Sequence, residues 1–537
     1  MIDLILEIFV SIVNAVLLCL LGYKFLQILQ LSDYKLVGYI EWAKDTKAKY
    51  LGRILSLVFL SLACTLVINA CLSSYFEYLT YIALIPYVIY CIIFRVNVIN
   101  SKMKTPLKST RRMGRLIVCL FIICGLASYG LLRLNDLLPL FLHETFITIT
   151  PLLLVFLVPL AHIIMYPWEE LNKLRHIRIA KRKLKKYPYL IKIGITGSYG
   201  KTSTKYILNS ILSSKYNVCM SPHSFNTAMG LCQVVDKYLE PYHEVLIAEM
   251  GANTCGDIAF LCKLIEPQMG IVTGVGNQHL RTFYSRNNVK NTKYELVKHI
   301  EQKEKGFMVF NGNNETTAEF YNTCKCEKAL VSVEQKDNCY LYAKDIKLST
   351  TGTEFNVVYD NQTYPCKTNL IGEHYVQDIL MAIAIALKLD VPMKNIINSI
   401  AELQPTAHRL EYKKVNNYNV LDDSYNSSVE GYQSALKVLN LFKGKKIIVT
   451  PGLVELGFEE KQCNNDFGKA ISEVCDVCII VNEANKESIS SGIASNENNK
   501  TIIVEASSLD DAKIKLTQYL EEDCCVLFEN DLPDNYT

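Results

Sequence analysis

Long apolar runs alternate with short polar segments over the first third of the chain. Five of these runs come close to the roughly 20 residues that a helix needs to cross a bilayer. They lie at about Leu4–Leu29, Ile54–Leu72, Tyr78–Phe94, Leu116–Leu134 and Phe146–Met165. A buried core helix can contain one such run, but five in succession predict an α-helical membrane region with five spans over residues 1–170.

Positive charge alternates between the segments that connect these runs. Lysines and arginines concentrate after the first, third and fifth runs, within Lys35–Arg53, Lys102–Arg115 and Lys173–Lys186. The segments after the second and fourth runs, 73–77 and 135–144, carry none. Cytoplasmic loops of membrane proteins hold the excess of positive charge. We therefore predict a multi-pass protein of the cell membrane, with its N-terminus outside and everything after residue 170 in the cytoplasm.

The predicted membrane region begins with an apolar run and is followed by a basic segment. The first run is too long for a cleavable signal and follows Asp3 instead of a basic segment, so we expect it to remain in the protein. Residues 171–190 are predicted to be a basic juxtamembrane linker, helical over Leu171–Lys186. That helix either rests on anionic membrane lipid or is simply solvated.

The pattern changes after residue 190, where short apolar strands alternate with amphipathic helices. This alternation is typical of a doubly wound α/β domain, which we place at residues 191–404. A second, Rossmann-like α/β domain is predicted at 405–537. Within the first domain, Lys305–Thr368 resembles a β insertion of short alternating strands with turns, and a helix is expected from Gly372 to Leu389.

Composition and charge exclude only a few classes of function. The net charge is +3, so no overall basic field argues for a nucleic-acid partner. Nineteen cysteines are present, but their spacing gives no paired zinc-binding framework. We interpret them as structural thiols of a reducing compartment.

The stretch from Ile191 to Asn209 predicts a phosphate-binding loop. An apolar strand leads into Gly197 and Gly200, and Lys201-Thr202 opens a helix. Backbone N–H groups at such a turn bind anionic oxygens, the lysine reaches the β- and γ-phosphates of a nucleotide, and the threonine hydroxyl ligates Mg²⁺. Ser198 and Ser203 belong to the same predicted ATP site. The alternative, a glycine turn with a solvated lysine, does not account for the order of strand, glycines, Lys-Thr and helix.

Chemistry-bearing residues also follow the next strands. Glu249 ends the strand Val245–Ala248, where a carboxylate points into the crevice of an α/β sheet and could ligate Mg²⁺. His279 follows the strand Gly270–Thr273, and Lys293 lies on the helix after it. Taken alone, His279 is more typical of a loop histidine and Lys293 of a solvated helix lysine.

Together these blocks closely resemble the Mur ligases, and within them the branch that adds D-alanyl-D-alanine to a muramoyl tripeptide. The blocks are TGSYGKTS, SFNTAMG, EMGA, GNQHL and TKYEL, in that order from residue 196 to residue 296. The resemblance implies that Glu249 and His279 hold metal with Thr202, and that Asn226 and Thr227 line the substrate crevice. It also implies that Lys293 carries a carbamate, which turns a cation into an anionic group near magnesium.

The resemblance continues through the second domain. Arg409, within HRLE, matches a family arginine that reaches the ATP phosphates, and Asp423 and Asn426, within DDSYN, match nucleotide-contacting positions. Asp378 stands where the family has a nucleotide-contacting asparagine, and Thr227-Ala228 replaces a family Asn-Glu pair. Lys201, Lys293 and Arg409 are thus the predicted catalytic residues, with ATP and Mg²⁺ as cofactors.

The implied activity is ATP-dependent amide-bond formation through an acyl phosphate, in peptidoglycan synthesis. Soluble Mur ligases bind a UDP-linked substrate with an N-terminal domain, whereas this chain has apolar runs there, so a lipid-linked muramoyl peptide is a second candidate substrate. Three further candidate functions are a polyglutamate synthetase, a glutamine-dependent amidating ligase whose four-cysteine zinc ribbon is not found in this sequence, and a non-catalytic membrane scaffold with a nucleotide domain.

Overall fold

The computed structural model describes residues 2–45, 49–72, 77–100, 106–139, 142–222, 224–276, 280–425 and 428–531. Its contacts divide the chain into two compact units, one over Met1–Leu174 and one over Arg175–Leu532.

The first unit is built from helices. They are α1 (Ile2–Leu21), α2 (Tyr23–Leu31), α3 (Leu36–Asp45), α4 (Lys49–Leu72), α5 (Ile85–Asn100), α6 (Arg111–Leu132) and α7 (Thr145–Lys185), with 3₁₀ segments at Glu77–Leu84 and Arg133–Leu137. Among the described residues, α1, α4, α6 and α7 are long and apolar enough to cross a membrane. The predicted span Tyr78–Phe94 falls on a 3₁₀ segment followed by the shorter apolar helix α5.

Buried polar side chains join four helices of this unit. The Asn14 amide donates to Ser128 Oγ at 2.8 Å and to Thr150 Oγ1 at 3.1 Å, and Tyr87 donates to Asn14 Oδ1 at 2.7 Å. Outside this core, large side chains such as Phe59 and Phe156 are 76% and 72% exposed. A buried satisfied network inside an apolar exterior fixes how the helices pair, because breaking it would leave polar groups unpaired.

The second unit contains two sheets with helices around them. The first sheet is formed by β1 (Ile191–Thr196), β2 (Val218–Met220), β3 (Val245–Glu249), β4 (Met269–Val272), β5 (Phe307–Asn311), β6 (Glu327–Ser332), β7 (Leu341–Ser349), β8 (Gly352–Tyr359) and β9 (Gln362–Thr368). Its order is β2-β3-β1-β4-β5-β6-β7-β8-β9, parallel up to β7 and antiparallel beyond it. Its helices are α8 (Lys201–Leu212), α9 (Ala228–Lys237), α10 (Asp257–Ile265), α11 (Leu280–Phe283), α12 (Arg286–Ile300), α13 (Glu315–Thr323), α14 (Glu373–Lys388) and α15 (Met393–Ala401).

The predicted β insertion is only half right. Its first part forms β5, α13 and β6, which continue the parallel sheet, and only β7, β8 and β9 make antiparallel hairpins. The helix α13 begins with the Asn314 side chain accepting from the Thr317 N–H at 3.1 Å. Pattern reading missed it because nine polar-rich residues carry a weak apolar stripe, whereas the preceding strand is fully buried.

The second sheet follows the first and has six strands. They are β10 (Glu411–Val415), β11 (Tyr418–Asp423), β12 (Lys446–Thr450), β13 (Val477–Val481), β14 (Ile502–Ala506) and β15 (Cys525–Glu529), in the order β10-β11-β15-β12-β13-β14. All pairs are parallel except β10 with β11. The helices here are α16 (Val429–Leu439), α17 (Glu460–Val474), α18 (Lys486–Ala494) and α19 (Leu509–Leu516), with a 3₁₀ turn at Gly457–Glu459 before α17. The predicted α/β architecture is confirmed for both parts.

The basic segment before β1 packs on the first sheet's helices. Ile177, Ala180 and Leu184 are buried in the same cluster as apolar side chains of α9, and the Lys183 ammonium donates to the Asp236 carbonyl at 2.9 Å. One face of this stretch of α7 therefore belongs to the domain core, while its other face carries exposed cations.

Candidate active site

The phosphate-binding loop lies between β1 and α8 and depends on two glycines. Gly197 has φ 155° and Gly200 has φ 76°. A Cβ at Gly197 would lie 2.0 Å from Thr273 Oγ1, and one at Gly200 would lie 2.9 Å from Asp378 Oδ1. Both positions therefore need glycine for conformation and for space.

The loop is braced against the segment after β4. The Ser198 N–H donates to the Gly274 carbonyl at 2.7 Å, and Ser198 Oγ accepts from the Gly276 N–H at 3.0 Å. Lys201 folds back over the loop, and its ammonium donates to the carbonyls of Gly197 at 2.7 Å and Ser198 at 2.9 Å. Burial lowers the pKa of Lys201 to about 8, so it remains mostly a cation at neutral pH and can exchange these carbonyls for phosphate oxygens.

Glu249 is the centre of a buried polar cluster. The Thr202 hydroxyl donates to its carboxylate, 3.2 and 3.3 Å from the two oxygens, and the Asn226 amide donates to Oε1 at 3.1 Å. Burial opposes ionisation of Glu249, but the ammonium groups of Lys205 and Lys201 outweigh it and lower its pKa. A hydroxyl and an ionised carboxylate at this separation are the hard oxygen ligands that Mg²⁺ prefers, so the residues fit the predicted metal.

Lys205 belongs to this cluster and was not predicted from the sequence. Its ammonium lies 3.0 Å from Glu249 Oε2, and both side chains are buried. Lys205 is four residues after Lys201 on α8, which places both lysines on one helix face. That spacing was the available signal, but a buried lysine is rare enough that pattern reading assigns it to solvent.

Lys293 lies on the buried face of α12 and is 3% exposed. Burial lowers its pKa to about 7, with a further contribution from the positive charge of Lys201. The Glu295 carboxylate, two residues after Lys293, already accepts hydrogen bonds from the N–H groups of Gly256 and Ala259. Near neutral pH a large share of Lys293 is thus a free amine, which is the form that reacts with carbon dioxide.

Two predicted site residues lie outside the described part of the chain. They are His279, predicted to hold metal, and Asn426, predicted to contact nucleotide.

The second α/β domain contributes Arg409 and Asp423. The Arg409 guanidinium lies 4.2 Å from the ring centre of Tyr425, and the Asp423 carboxylate accepts from the Leu410 N–H at 3.0 Å. Tyr375, on α14, donates to the Arg409 carbonyl. Burial raises the pKa of Asp423 to about 6, and a neighbouring Arg409 charge opposes that rise.

Asp378 lies on α14 beside the phosphate loop. Burial raises its pKa to about 8, so the carboxyl is mostly protonated at neutral pH and can donate a hydrogen bond. This is a property it shares with the asparagine it replaces in the family pattern.

Side-chain pairs also connect the two α/β domains. Ser224 Oγ and the Tyr425 hydroxyl are 2.5 Å apart, and the Arg286 guanidinium binds both oxygens of Glu459 at 2.9 and 3.0 Å. Sequence reading missed both, because the partners are more than 170 residues apart.

Thr227, predicted to contact substrate, accepts from the Gly230 N–H at 3.3 Å and caps α9. The proposed substrate roles of Asn226 and Thr227 stay predictions.

A cleft of about 250 Å³ opens beside α8, within a turn of Lys201. Its lining combines aromatic, apolar, hydroxyl, amide and acidic side chains, among them Tyr206, Tyr375, Leu403, Ser203, Gln404 and Glu402. The cleft therefore offers both apolar and polar contacts next to the phosphate loop.

Family models match both α/β domains. The model of the Mur ligase middle domain matches residues 195–386, and that of the Mur ligase glutamate ligase domain matches residues 408–528. Together they include Lys201, Glu249, Lys293, Asp378 and Asp423.

Curated relatives show the same similarity. The chain is 27% identical over 283 residues to the UDP-N-acetylmuramoyl-tripeptide--D-alanyl-D-alanine ligase of Bacillus subtilis, covering 52% of this chain and 60% of that one. It is 26% identical over 315 residues to the enzyme of that name from Escherichia coli, covering 58% and 69%. The chain thus spans less than two thirds of the Bacillus relative.

Solved structures agree on the fold. MurF ligase from Thermotoga maritima in complex with ADP superposes with a TM-score of 0.60 at 25% identity, over 67% of this chain and 80% of that one. MurF from Acinetobacter baumannii gives a TM-score of 0.61 at 23% identity, over 67% and 77%.

Proposed function

Because this chain belongs to the Mur ligase family, we propose that it is an ATP-dependent ligase that adds D-alanyl-D-alanine to a muramoyl tripeptide precursor of peptidoglycan. The observation that carries the proposal is the arrangement around the phosphate loop. Lys201, Thr202 and the Glu249 cluster lie at the end of the first sheet, and Arg409 and Asp423 come from the second α/β domain. Relatives with the corresponding name and a MurF structure with ADP support the substrate and nucleotide assignments.

The reaction would have two steps. A carboxylate oxygen of the tripeptide takes the γ-phosphoryl group of ATP and ADP leaves, and then the amine of the dipeptide attacks the acyl phosphate, forming the amide and releasing phosphate and one proton. Such chemistry needs alignment and charge neutralisation more than a nucleophilic side chain. Lys201 and Arg409 supply positive charge to the phosphates, while Asp423 would accept from ribose hydroxyls and Asp378 donate beside the loop.

Thr202 and Glu249 would hold magnesium, with His279 as a further ligand. When bound, the metal supplies positive charge to the phosphate oxygens. Thr202, Asn226 and Lys205 fix both oxygens of Glu249, which supports this role. The free amine of Lys293 supports carbamylation at that position, and the resulting anion would replace a positive charge next to Lys201.

The apolar helices would anchor the enzyme in the cell membrane, with both α/β domains on the cytoplasmic side. Length and apolar composition of α1, α4, α6 and α7 support the anchoring, and the alternation of positive charge supports the orientation. The same helices favour a second candidate substrate, a lipid-linked muramoyl tripeptide, since a membrane-anchored ligase meets lipid-linked precursors in the plane of the bilayer.

The test uses the full-length protein in detergent or nanodiscs, with UDP-linked and lipid-linked muramoyl tripeptides offered separately, each with and without D-alanyl-D-alanine. ADP release and the mass of the product are measured. We expect ADP and the pentapeptide product only when both substrates are present. Lys201→Ala should lower turnover at least about 100-fold, whereas Lys298→Ala, an exposed lysine on α12, should not change it. ADP release without product from either precursor would contradict the proposal.

A further inference from the structure

Arg95 differs from two other arginines of the first unit in its partners. Arg115 binds Glu169 at 2.8 Å and Arg133 binds Glu7 at 3.3 Å. Arg95, on the apolar helix α5, has its guanidinium 4.3 Å from the ring centre of Tyr23, and its Nη1 is buried without a hydrogen-bond partner among the described residues. No carboxylate of the described residues lies within ion-pair distance of the Arg95 guanidinium.

A buried guanidinium N–H without an acceptor is unfavourable, because the group has lost water and gained nothing in exchange. The Tyr23 ring holds the guanidinium by a cation–π contact but does not accept from its edge. The Tyr23 ring thus fixes a guanidinium whose charge no described carboxylate neutralises, and an anion that presents oxygens to the N–H groups of an arginine, as phosphate and carboxylate do, would neutralise it.

Hydrogen bonds hold Tyr23, the residue that contacts Arg95, and Gln30 on the same helix. The Tyr23 hydroxyl accepts from the Leu107 N–H at 3.0 Å, and the Gln30 side chain exchanges two hydrogen bonds with the backbone of Lys108, at 2.8 and 2.9 Å. A second guanidinium, Arg112, lies 3.7 Å from the ring centre of Tyr34. Helix α2 and the turn after it therefore hold two ring-stacked arginines, along the edge that the charge pattern places at the cytoplasmic surface.

The side chains beside Arg95 indicate that the anion belongs to a lipid. Ile92, Ile93 and Val96 are 52%, 50% and 48% exposed on the same helix, and apolar groups of this kind contact acyl chains in a bilayer. Arg95 lies five residues before the end of α5, about 7 Å along the helix axis. This depth corresponds to the boundary between headgroups and acyl chains, where arginine side chains extend toward phosphate.

We propose that Arg95 and Tyr23 form a binding site for the phosphate of an anionic phospholipid, at the cytoplasmic end of α5. The site depends on the membrane placement proposed above but not on the ligase activity. Arg95 donates to the phosphate oxygens, Tyr23 orients the guanidinium, and the exposed isoleucines and valine pack against the acyl chains. Arg112, which shares the Glu169 carboxylate with Arg115, lies at the start of α6 on the same side.

The experiment measures lipid binding to the full-length, delipidated protein in detergent by native mass spectrometry. The probes are phosphatidylglycerol, phosphatidylcholine and inorganic phosphate. Arg95→Gln removes the charge, Arg95→Lys keeps the charge without the planar group, and Tyr23→Leu removes the ring. Arg111→Gln is the matched control, since it removes one positive charge from an exposed side chain at the start of α6. Thermal unfolding of each variant reports on folding.

We expect one tightly held phosphatidylglycerol, weaker binding of phosphatidylcholine, and no competition by inorganic phosphate. Arg95→Gln should weaken phosphatidylglycerol binding at least about tenfold, with smaller losses for Arg95→Lys and Tyr23→Leu. Equal losses in Arg95→Gln and Arg111→Gln would overturn the site in favour of a general charge effect. Displacement of the lipid by inorganic phosphate, or unchanged binding in all Arg95 and Tyr23 variants, would also overturn it. ADP release by Arg95→Gln with soluble substrates, measured in parallel, reports separately on the ligase.

Discussion

Lys293 shows how burial changes the chemistry of a single side chain. In solution a lysine keeps its proton up to about pH 10, whereas burial and the charge of Lys201 lower the pKa of Lys293 to about 7. Its amine is therefore mostly protonated at pH 6 and mostly free at pH 8. Only the free amine forms a carbamate.

We predict that ¹³C-labelled bicarbonate gives a carbamate signal in the ¹³C NMR spectrum of the full-length protein, and that the signal grows several-fold between pH 6 and pH 8. Lys293→Ala should lose the signal, whereas Lys298→Ala, with an exposed lysine on the same helix, should keep it. A signal that does not depend on Lys293, or that falls as the pH rises, would contradict the assignment.

Asp378 gives a second prediction, in which burial raises the pKa of an acid, whereas it lowers the pKa of the base Lys293. Burial raises its pKa to about 8, from about 4 in an unfolded chain. Between these values the folded chain holds a proton that the unfolded chain has lost, so stability from this group is lost progressively as the pH rises toward 8.

Asp378→Asn removes this loss, because asparagine resembles the protonated carboxyl and does not ionise. We expect the melting temperature of the variant to exceed that of the wild type by roughly 2 °C or more at pH 8.5, and the difference to shrink toward pH 5. A difference that stays constant across this range would show that Asp378 does not titrate as described.

Among helices and strands, local pattern predicted the elements that end in functional residues. The strand before Glu249, the glycine turn and the helix beginning at Lys201 each follow from a few adjacent residues. The predictions fail where a result depends on distant partners. Lys205 is buried only because β3 delivers Glu249 beside α8, and α13 forms although its own sequence is weakly apolar.

The contact between Arg286, at the start of α12, and Glu459, in the turn before α17, also joins residues that are far apart in the sequence. Arg286 binds both oxygens of Glu459, but its side chain is 66% exposed, and exposed ion pairs contribute little. We expect Arg286→Gln to weaken nucleotide binding no more than about fivefold, and Glu459→Gln to have the same effect, because each loosens the contact between the two α/β domains.

A double-mutant cycle of Arg286→Gln and Glu459→Gln tests this coupling, with ADP affinity measured by calorimetry. The double variant should bind about as well as either single variant, and the effect should shrink in high salt. Losses that add independently would show that the two side chains do not act as a pair.

At the scale of the whole molecule, the chain combines an apolar helical unit with a two-domain unit of the Mur ligase family. Two cysteines exposed in the structure lie on opposite sides of the membrane in the proposed orientation: Cys71 at the end of α4 and Cys255 before α10. Either can be labelled by an impermeant maleimide only from its own side.

We predict that a membrane-impermeant maleimide labels Cys71 on intact cells and leaves Cys255 unmodified, while permeabilised cells show both labelled. Mass spectrometry of the digested protein identifies the modified peptide, and Cys71→Ser and Cys255→Ser confirm each assignment. Labelling of Cys255 on intact cells would place the phosphate loop outside and exclude access to cellular ATP.

Transfer of ¹⁸O tests the central claim most directly. The muramoyl tripeptide is labelled with ¹⁸O in the reacting carboxylate and incubated with ATP, magnesium, D-alanyl-D-alanine and the full-length protein, and the released phosphate is analysed by mass spectrometry. The acyl-phosphate route predicts one ¹⁸O atom in each phosphate that accompanies a product molecule. Unlabelled phosphate, or label in AMP, would contradict it.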